Sequence, residues 1–124
     1  MNWKFTGDRP VYLQIKEQLR GAVLIGEFPP GAKIPSVRDM ATAAKVNPNT
    51  MQHALHELEQ ENLLISQGTN GRFVTEDPHI LETLRQRCLT ELAMECVHKF
   101  SLLGVSPKEA ALLIEQLDNG KDGM

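Results

Sequence analysis

The chain has no apolar stretch of the roughly 18 residues that a membrane span needs, so no spanning helix is expected. Its opening residues, MNWKFTGDRP, lack the apolar core of a signal peptide. The chain is therefore expected to stay in the cytoplasm, away from membranes. Aromatic residues make up only 5% of the sequence against 41% hydrophobic residues, which calls for an aliphatic core. There are two cysteines, Cys88 and Cys96, in one predicted helix. Eight residues of helix rise about 12 Å, too far for a disulfide. They are read as buried thiols, with a bond to a partner chain disfavoured in a reducing compartment. No Gly-rich phosphate loop, nucleophile–base grouping or carboxylate pair set for acid–base work is present, so no enzyme is expected. His53, His56 and Glu57 lie together, but in the order HxxHE rather than HExxH and with no third ligand. No metal and no cofactor are expected.

An excess of positive charge is also missing. The net charge is −3. Through Glu76 the chain carries eight basic and eight acidic residues, and the remainder carries five and eight. A neutral domain can still bind nucleic acid if its cations gather on one face.

What is present is a patterned stretch, KIPSVRDMATAAKVNPNTMQHALHEL, from Lys33 to Leu58. Ser36 is a good N-cap, with Asp39 three residues on to suit the positive helix end. Val37, Met40, Ala41 and Ala44 form one apolar face of a short helix. Asn47 can cap a second helix and Pro48 fits its first position. Met51, Ala54, Leu55 and Leu58 give the second helix its buried face. So short a turn implies helices crossing steeply, as in a helix-turn-helix. The start of the second helix then enters the major groove of DNA. Its exposed residues are Asn47, Asn49, Thr50, Gln52 and His53, whose donors and acceptors suit base edges and phosphates. The unexceptional alternative is two capped helices with polar outer faces.

The flanks decide between these. Tyr12, Ile15, Leu19, Ala22 and Val23 mark an earlier helix, with Pro10 near its first position and Gly26 as its stop. Ala32–Ile34 is read as a very short strand. Leu63–Gln67 and Arg72–Thr75 read as strands around the turn Gly68-Thr69-Asn70-Gly71. This is the order of a winged helix-turn-helix. The wing tip lets the backbone at Gly68, Thr69 and Asn70 approach phosphate. Arg72 beside it suits a phosphate or the minor groove. Glu57, Glu59 and Glu61 are read as solvated helix charges.

RPVYLQI, GEFPPGAKIPSVRDMA, VNPNTMQHALHELEQENLL and GTNGRFV together resemble the GntR family of bacterial transcription regulators, in particular its short YtrA-type branch. The resemblance covers about the first three-fifths of the chain. It implies that Arg38 contacts DNA. It also places Asn47, Asn49, Thr50 and Gln52 at recognition-helix contact positions and Gly68 at the wing tip. Other branches carry arginines where this chain has Pro48 and Gln52, and the wing reads GTNGRF rather than GxGTF.

After Asp77-Pro78 the composition changes. Ile80, Leu81, Leu84, Cys88, Leu92, Cys96, Val97, Phe100 and Leu103 trace the apolar stripe of a long helix. Gly104 breaks it. Ser106, Pro107 and Glu109 start another helix, with Ala110, Leu113, Ile114 and Leu117 as its buried face. The tail from Asn119 is expected to fray. About 40 residues are too few to fold well alone. The expected fold is mainly α with a small β-hairpin: residues 1–76 as a winged helix-turn-helix, 77–124 as a two-helix dimerisation region. Its interface is assigned to Leu81, Leu84, Cys88, Leu92, Cys96, Phe100, Leu113 and Leu117, and the resemblance implies the same appendage. The expected partners are a second copy of the chain and a palindromic double-stranded operator, because a two-fold protein reads a two-fold site. The function expected is a homodimeric repressor. Phosphate contacts would come from Ser36 at its helix start, Arg38, Lys45 and Arg72, and base reading from Asn49, Gln52 and His53. Room is left for an unidentified small-molecule effector. The competing reading is a winged helix that recognises protein, which the neutral charge favours.

Overall fold

The computed structural model describes residues 1–122, with side chains up to Asp118. The chain divides into two compact units, Met1–Thr83 and a second from Leu84 on.

In the first unit, α1 spans Val11–Leu24, α2 Val37–Ala44 and α3 Pro48–Gln60. Strands β1 (Leu64–Ser66) and β2 (Arg72–Val74) pair antiparallel with Leu64 opposite Val74 and Ser66 opposite Arg72. Pro10 caps α1 instead of opening it. The expected strand at Ala32–Ile34 is a single bridge, Lys33 opposite Phe73, on the outer edge of β2. It is held by the Ile34 N–H donating to Arg72 O (3.0 Å) and the Val74 N–H to Ala32 O (2.9 Å).

The residues before α1 are tied down by two glutamines a turn apart. Gln14 is buried, and its amide donates to the carbonyls of Thr6 (2.9 Å) and Arg9 (2.8 Å) while accepting from Thr6 N (2.8 Å). Gln18 accepts from Lys4 N (3.0 Å) and donates to Lys4 O (2.7 Å). The two amides stand in for the strand partner this segment lacks, so its backbone groups are satisfied without a sheet.

The core is aliphatic, as the composition requires. Ile15 and Leu19 of α1 meet Met51, Leu55 and Leu58 of α3, and Met40 and Ala41 of α2 close the third side. Leu63, Leu64 and Val74 extend it beneath the hairpin. Each fully buried side chain of this size contributes about 1.5–3 kcal/mol.

Beside that apolar seam runs a polar ladder from α1 to α3. Tyr12 stacks on His53 with ring centroids 4.2 Å apart. One turn on, Lys16 Nζ donates to Glu57 Oε1 (2.6 Å) and lies 2.8 Å from Glu61 Oε2. One turn further, Arg20 grips both oxygens of Glu61 at 2.6 and 2.7 Å. The rungs climb both helices in one sense, so α1 and α3 run the same way along this edge. Glu57 and Glu61 are therefore structural partners rather than solvated charges. Burial works against the Lys16 ammonium, but hydrogen bonds to Glu57 and Glu61 outweigh it and raise its pKa. The hydrogen bond from Lys16 holds Glu57 below the ordinary carboxylate value. At Glu61 burial pulls upward, and Arg20 and Lys16 together overcome it and lower the pKa.

In the second unit and the segment leading to it, α4 spans Pro78–Ser101 and α5 Pro107–Asp122. Asp77 caps α4 by accepting from His79 N (2.9 Å). Gly104, at φ 75°, turns the chain, and Ser106 Oγ accepts from Glu109 N (3.2 Å) to start α5. The helix continues to Asp122, past the point where fraying is expected, and Gly123 and Met124 lie outside the described residues.

Lys16→Ala removes the cation shared by two carboxylates and should cost about 2 kcal/mol, measured by urea unfolding at pH 7. A loss under about 0.5 kcal/mol, typical of a surface change, would show the ladder to be decorative. Because Glu57 and Glu61 titrate lower folded than unfolded, they stabilise at neutral pH and that contribution disappears as pH falls below about 4.3. Lys16, shifted upward, contributes at every pH up to about 10.4 and loses it only above. The acid-side loss should be smaller in the Lys16→Ala protein.

Candidate nucleic-acid interface

The start of α3 is exposed on one side and locked on the other. Met51, Ala54, Leu55 and Leu58 are buried, while Asn47, Asn49, Gln52 and His53 face outward and Thr50 is half-buried. Asn47 Oδ1 accepts from Asn49 N (2.7 Å), and Pro48 occupies the first helical position as expected. The cap uses only the oxygen of Asn47, so its amide NH2 remains a donor. His53 has Nε2 2.6 Å from Glu57 Oε2, which fixes it against the helix.

Helix α2 begins at Ser36, whose Oγ accepts from Asp39 N (3.1 Å). Arg38 is exposed on its first turn. It joins α3 through Lys45, which sits in the left-handed region at φ 59°, ψ 45°. That conformation favours glycine, so a lysine there is held at a backbone cost. Lys45 too is exposed.

The wing tip is a single 3-10 turn, Gly68–Asn70, with Gly68 at φ 59° and Gly71 at φ 102°. The Gln67 N–H closes it on Gly71 O at 2.9 Å. Thr69, Asn70, Gly71 and Arg72 share a cleft of about 600 Å³ with Lys33, Ser36 and Asp39, so the start of α2 and the wing border one recess. Arg72 is not free at the tip. Its Nε donates to Glu59, so it ties the wing to α3.

The neutral charge count acquires a spatial meaning here. Of the eight basic residues through Glu76, Arg9, Lys16, Arg20 and Arg72 are paired with Glu17, Glu57, Glu61 and Glu59. Among the described residues Lys4, Lys33, Arg38 and Lys45 have no carboxylate partner, and the last three lie in or beside α2. Sequence reasoning missed these pairs. The signal was present: Tyr12, Lys16 and Arg20 repeat every four residues on one helix, as do His53, Glu57 and Glu61 on another. The pairing itself joins residues 41 apart.

In α4, Leu84 is buried, and Leu81, Cys88, Cys96 and Phe100 are half-buried. Leu92 is 64% exposed, and Leu89 and Met94, outside the expected stripe, are also exposed. In α5 Ala110 is buried, and every other side chain described is exposed. Leu113, Ile114 and Leu117 do not form a buried face within the single chain; they are 44%, 51% and 67% exposed. No helix among the described residues is long and apolar enough to cross a membrane. No group of three or more His, Cys, Asp or Glu among them is placed to hold a metal ion.

Residues 11–74 match the family described as "Bacterial regulatory proteins, gntR family". The chain is 34% identical over 109 residues to the uncharacterized HTH-type transcriptional regulator YhcF of Bacillus subtilis, covering 88% of this chain and 90% of that protein. It is 40% identical over 68 residues to the HTH-type transcriptional repressor YtrA of the same organism, which spans 55% of this chain and 52% of the relative. A GntR family transcriptional regulator from Listeria monocytogenes superposes with a TM-score of 0.85 at 28% identity, over 90% of this chain and 98% of that one. The DNA-binding domain of AraR in complex with operator ORX1 superposes at 0.56 and 28% identity, over 60% of this chain and 96% of that one.

Lys45→Gly should relieve the left-handed backbone and stabilise the protein by about 1 kcal/mol, read as a higher unfolding midpoint. A lower midpoint would mean that the lysine side chain contributes more packing than its backbone costs.

Proposed function

The chain belongs to the GntR family of bacterial regulatory proteins and is a DNA-binding transcription regulator; from that premise we propose that it acts as a homodimeric repressor on a palindromic operator. The observation that carries the DNA-reading half is the start of α3. Asn49, Gln52 and His53 stand exposed on a helix whose opposite face is fully buried, with Arg38 and Lys45 unpaired beside them. Polar side chains on a rigid helix can read base edges, and the neighbouring cations and the start of α2 hold phosphates. The Gly68–Asn70 tip offers backbone N–H groups to the adjacent backbone or minor groove. Arg72, engaged by Glu59, orients that tip and has its remaining donors for phosphate.

The apolar surface of the second unit supports the homodimer. Among the described side chains of α5 only that of Ala110 is buried, and α4 carries exposed apolar residues on two sides. A surface of this kind marks an interface. Closed two-fold assembly covers the same patch on both copies and places two reading helices on one operator. Repression rests on the relative named as a repressor. Against the reading as a protein-recognition module, four of the eight carboxylates through Glu76 are bound to Lys16, Arg20, Arg72 and Arg9, and Arg38 and Lys45 beside the start of α3 have no carboxylate partner among the described residues.

Binding of the purified protein to DNA from its own promoter, beside a scrambled duplex and across a salt series, tests the regulator directly. Arg38→Ala should weaken binding about tenfold and reduce the salt slope by about 0.9, one phosphate contact, with the unfolding midpoint unchanged. Binding equal to wild type at every salt concentration would remove Arg38 from the interface. Leu92→Asp should convert dimer to monomer in sedimentation; a dimer that persists would place the interface elsewhere.

A further inference from the structure

His53 is held by three groups from two helices. Tyr12 of α1 stacks on its ring at 4.2 Å, tilted by 22°. Glu57, one turn along α3, takes its Nε2 at 2.6 Å through Oε2. The other oxygen of that carboxylate accepts from Lys16 of α1 at 2.6 Å. His53 still keeps half of its side-chain surface open, at 51%. Resting on the reading of α3 as the DNA-facing helix, we propose that His53 is a specificity-determining residue that presents Nδ1 as an acceptor to an exocyclic amino group of adenine or cytosine in the major groove, with Tyr12 and Glu57 as its positioning residues.

The chemistry follows from the carboxylate. Lys16 keeps Glu57 ionised, and an ionised carboxylate only accepts hydrogen bonds. The proton between the two groups therefore belongs to Nε2 of His53. In the singly protonated ring that leaves the lone pair on Nδ1, since the bond made by one nitrogen decides the state of the other. Stacking on Tyr12 fixes the ring plane, so the lone pair has a set direction. Adenine N6 and cytosine N4 are the donors in the major groove, whereas guanine O6 and N7 and thymine O4 are acceptors. An acceptor aimed at guanine or thymine would leave both groups unpaired, which is costly once water is excluded. A free histidine could turn over and accept either base class. The ladder takes that choice away.

The test is selection of bound duplexes from a randomised pool by the full chain, followed by sequencing. Wild type should yield a motif with one position favouring adenine or cytosine about tenfold over guanine and thymine. His53→Ala should flatten that position and leave the others. Tyr12→Ala and Glu57→Gln should flatten the same position, and Tyr12→Phe, which keeps the stacking face, should retain it. Arg38→Ala is the control, expected to lower yield without altering the motif. A wild-type motif unchanged by His53→Ala would overturn the assignment while leaving DNA reading intact. Loss of preference at the same position in Tyr12→Phe would overturn the positioning role. Enrichment of no sequence by wild type would overturn both the assignment and the regulator reading on which it rests.

Discussion

The first unit depends on how α1 is held against α3. The apolar seam of Ile15, Leu19, Met51, Leu55 and Leu58 supplies most of the free energy, at about 1.5–3 kcal/mol per buried side chain. The ladder's ion pairs are part-buried, and the cost of taking their charges out of water offsets much of their attraction, so the ladder does not compete with the seam in net magnitude. It adds register. An aliphatic seam tolerates sliding and rotation better than a set of matched charges does. Lys16, with its side chain 9% exposed, must find Glu57 and Glu61 or remain a buried charge without a partner. Only one axial position of α1 on α3 satisfies Tyr12–His53, Lys16–Glu57 and Arg20–Glu61 together.

The same pairs decide how charge is distributed over a near-neutral unit. Negative charge near DNA is unfavourable only where it is not already compensated. Here four carboxylates are occupied by four cations, of which only Arg72 borders the start of α2. Of the four cations left without a carboxylate among the described residues, Lys33, Arg38 and Lys45 lie in or beside α2 and Lys4 lies ahead of α1, while Asp39 on the first turn of α2 is also exposed. Summed charge is thus a poor guide to this surface, because Glu57, Glu59 and Glu61 are engaged within the fold while Lys33, Arg38 and Lys45 are exposed.

Local signals were legible in the sequence, and long-range ones were not. Ser36 and Asn47-Pro48 marked their helix starts because capping is decided within three residues, and both caps form as expected. The hairpin was legible from Gly68 and Gly71 for the same reason: positive φ is a local demand. The role of Glu57, Glu59 and Glu61 was not, since glutamate on a helix is ordinary and its partners lie 13 to 41 residues away. Lys45 hid a left-handed residue behind a side chain that rarely adopts one. In α5 the apolar spacing pointed to a buried face of which only Ala110 is buried, because periodicity says only that a face wants covering. It does not say what covers that face, and within the single chain Leu113, Ile114 and Leu117 are exposed.

The run Glu57-Leu58-Glu59-Gln60-Glu61 gathers these constraints in five residues. Side chains at 57 and 61 share one flank of the helix and the one at 59 lies on the other. Glu57 and Glu61 accordingly hold α1, Glu59 holds Arg72 beside the wing tip, and Leu58 between them is fully buried. The C-terminal half of α3 is thereby anchored on both flanks and underneath, while its first turns carry the exposed polar side chains. Division of one helix into an anchored half and a presenting half gives reading residues the stiffness that specificity needs. A side chain that reads a base must be held to within a fraction of an ångström, and the proposed reading role of α3 rests on the anchoring that Glu57, Leu58, Glu59 and Glu61 give it.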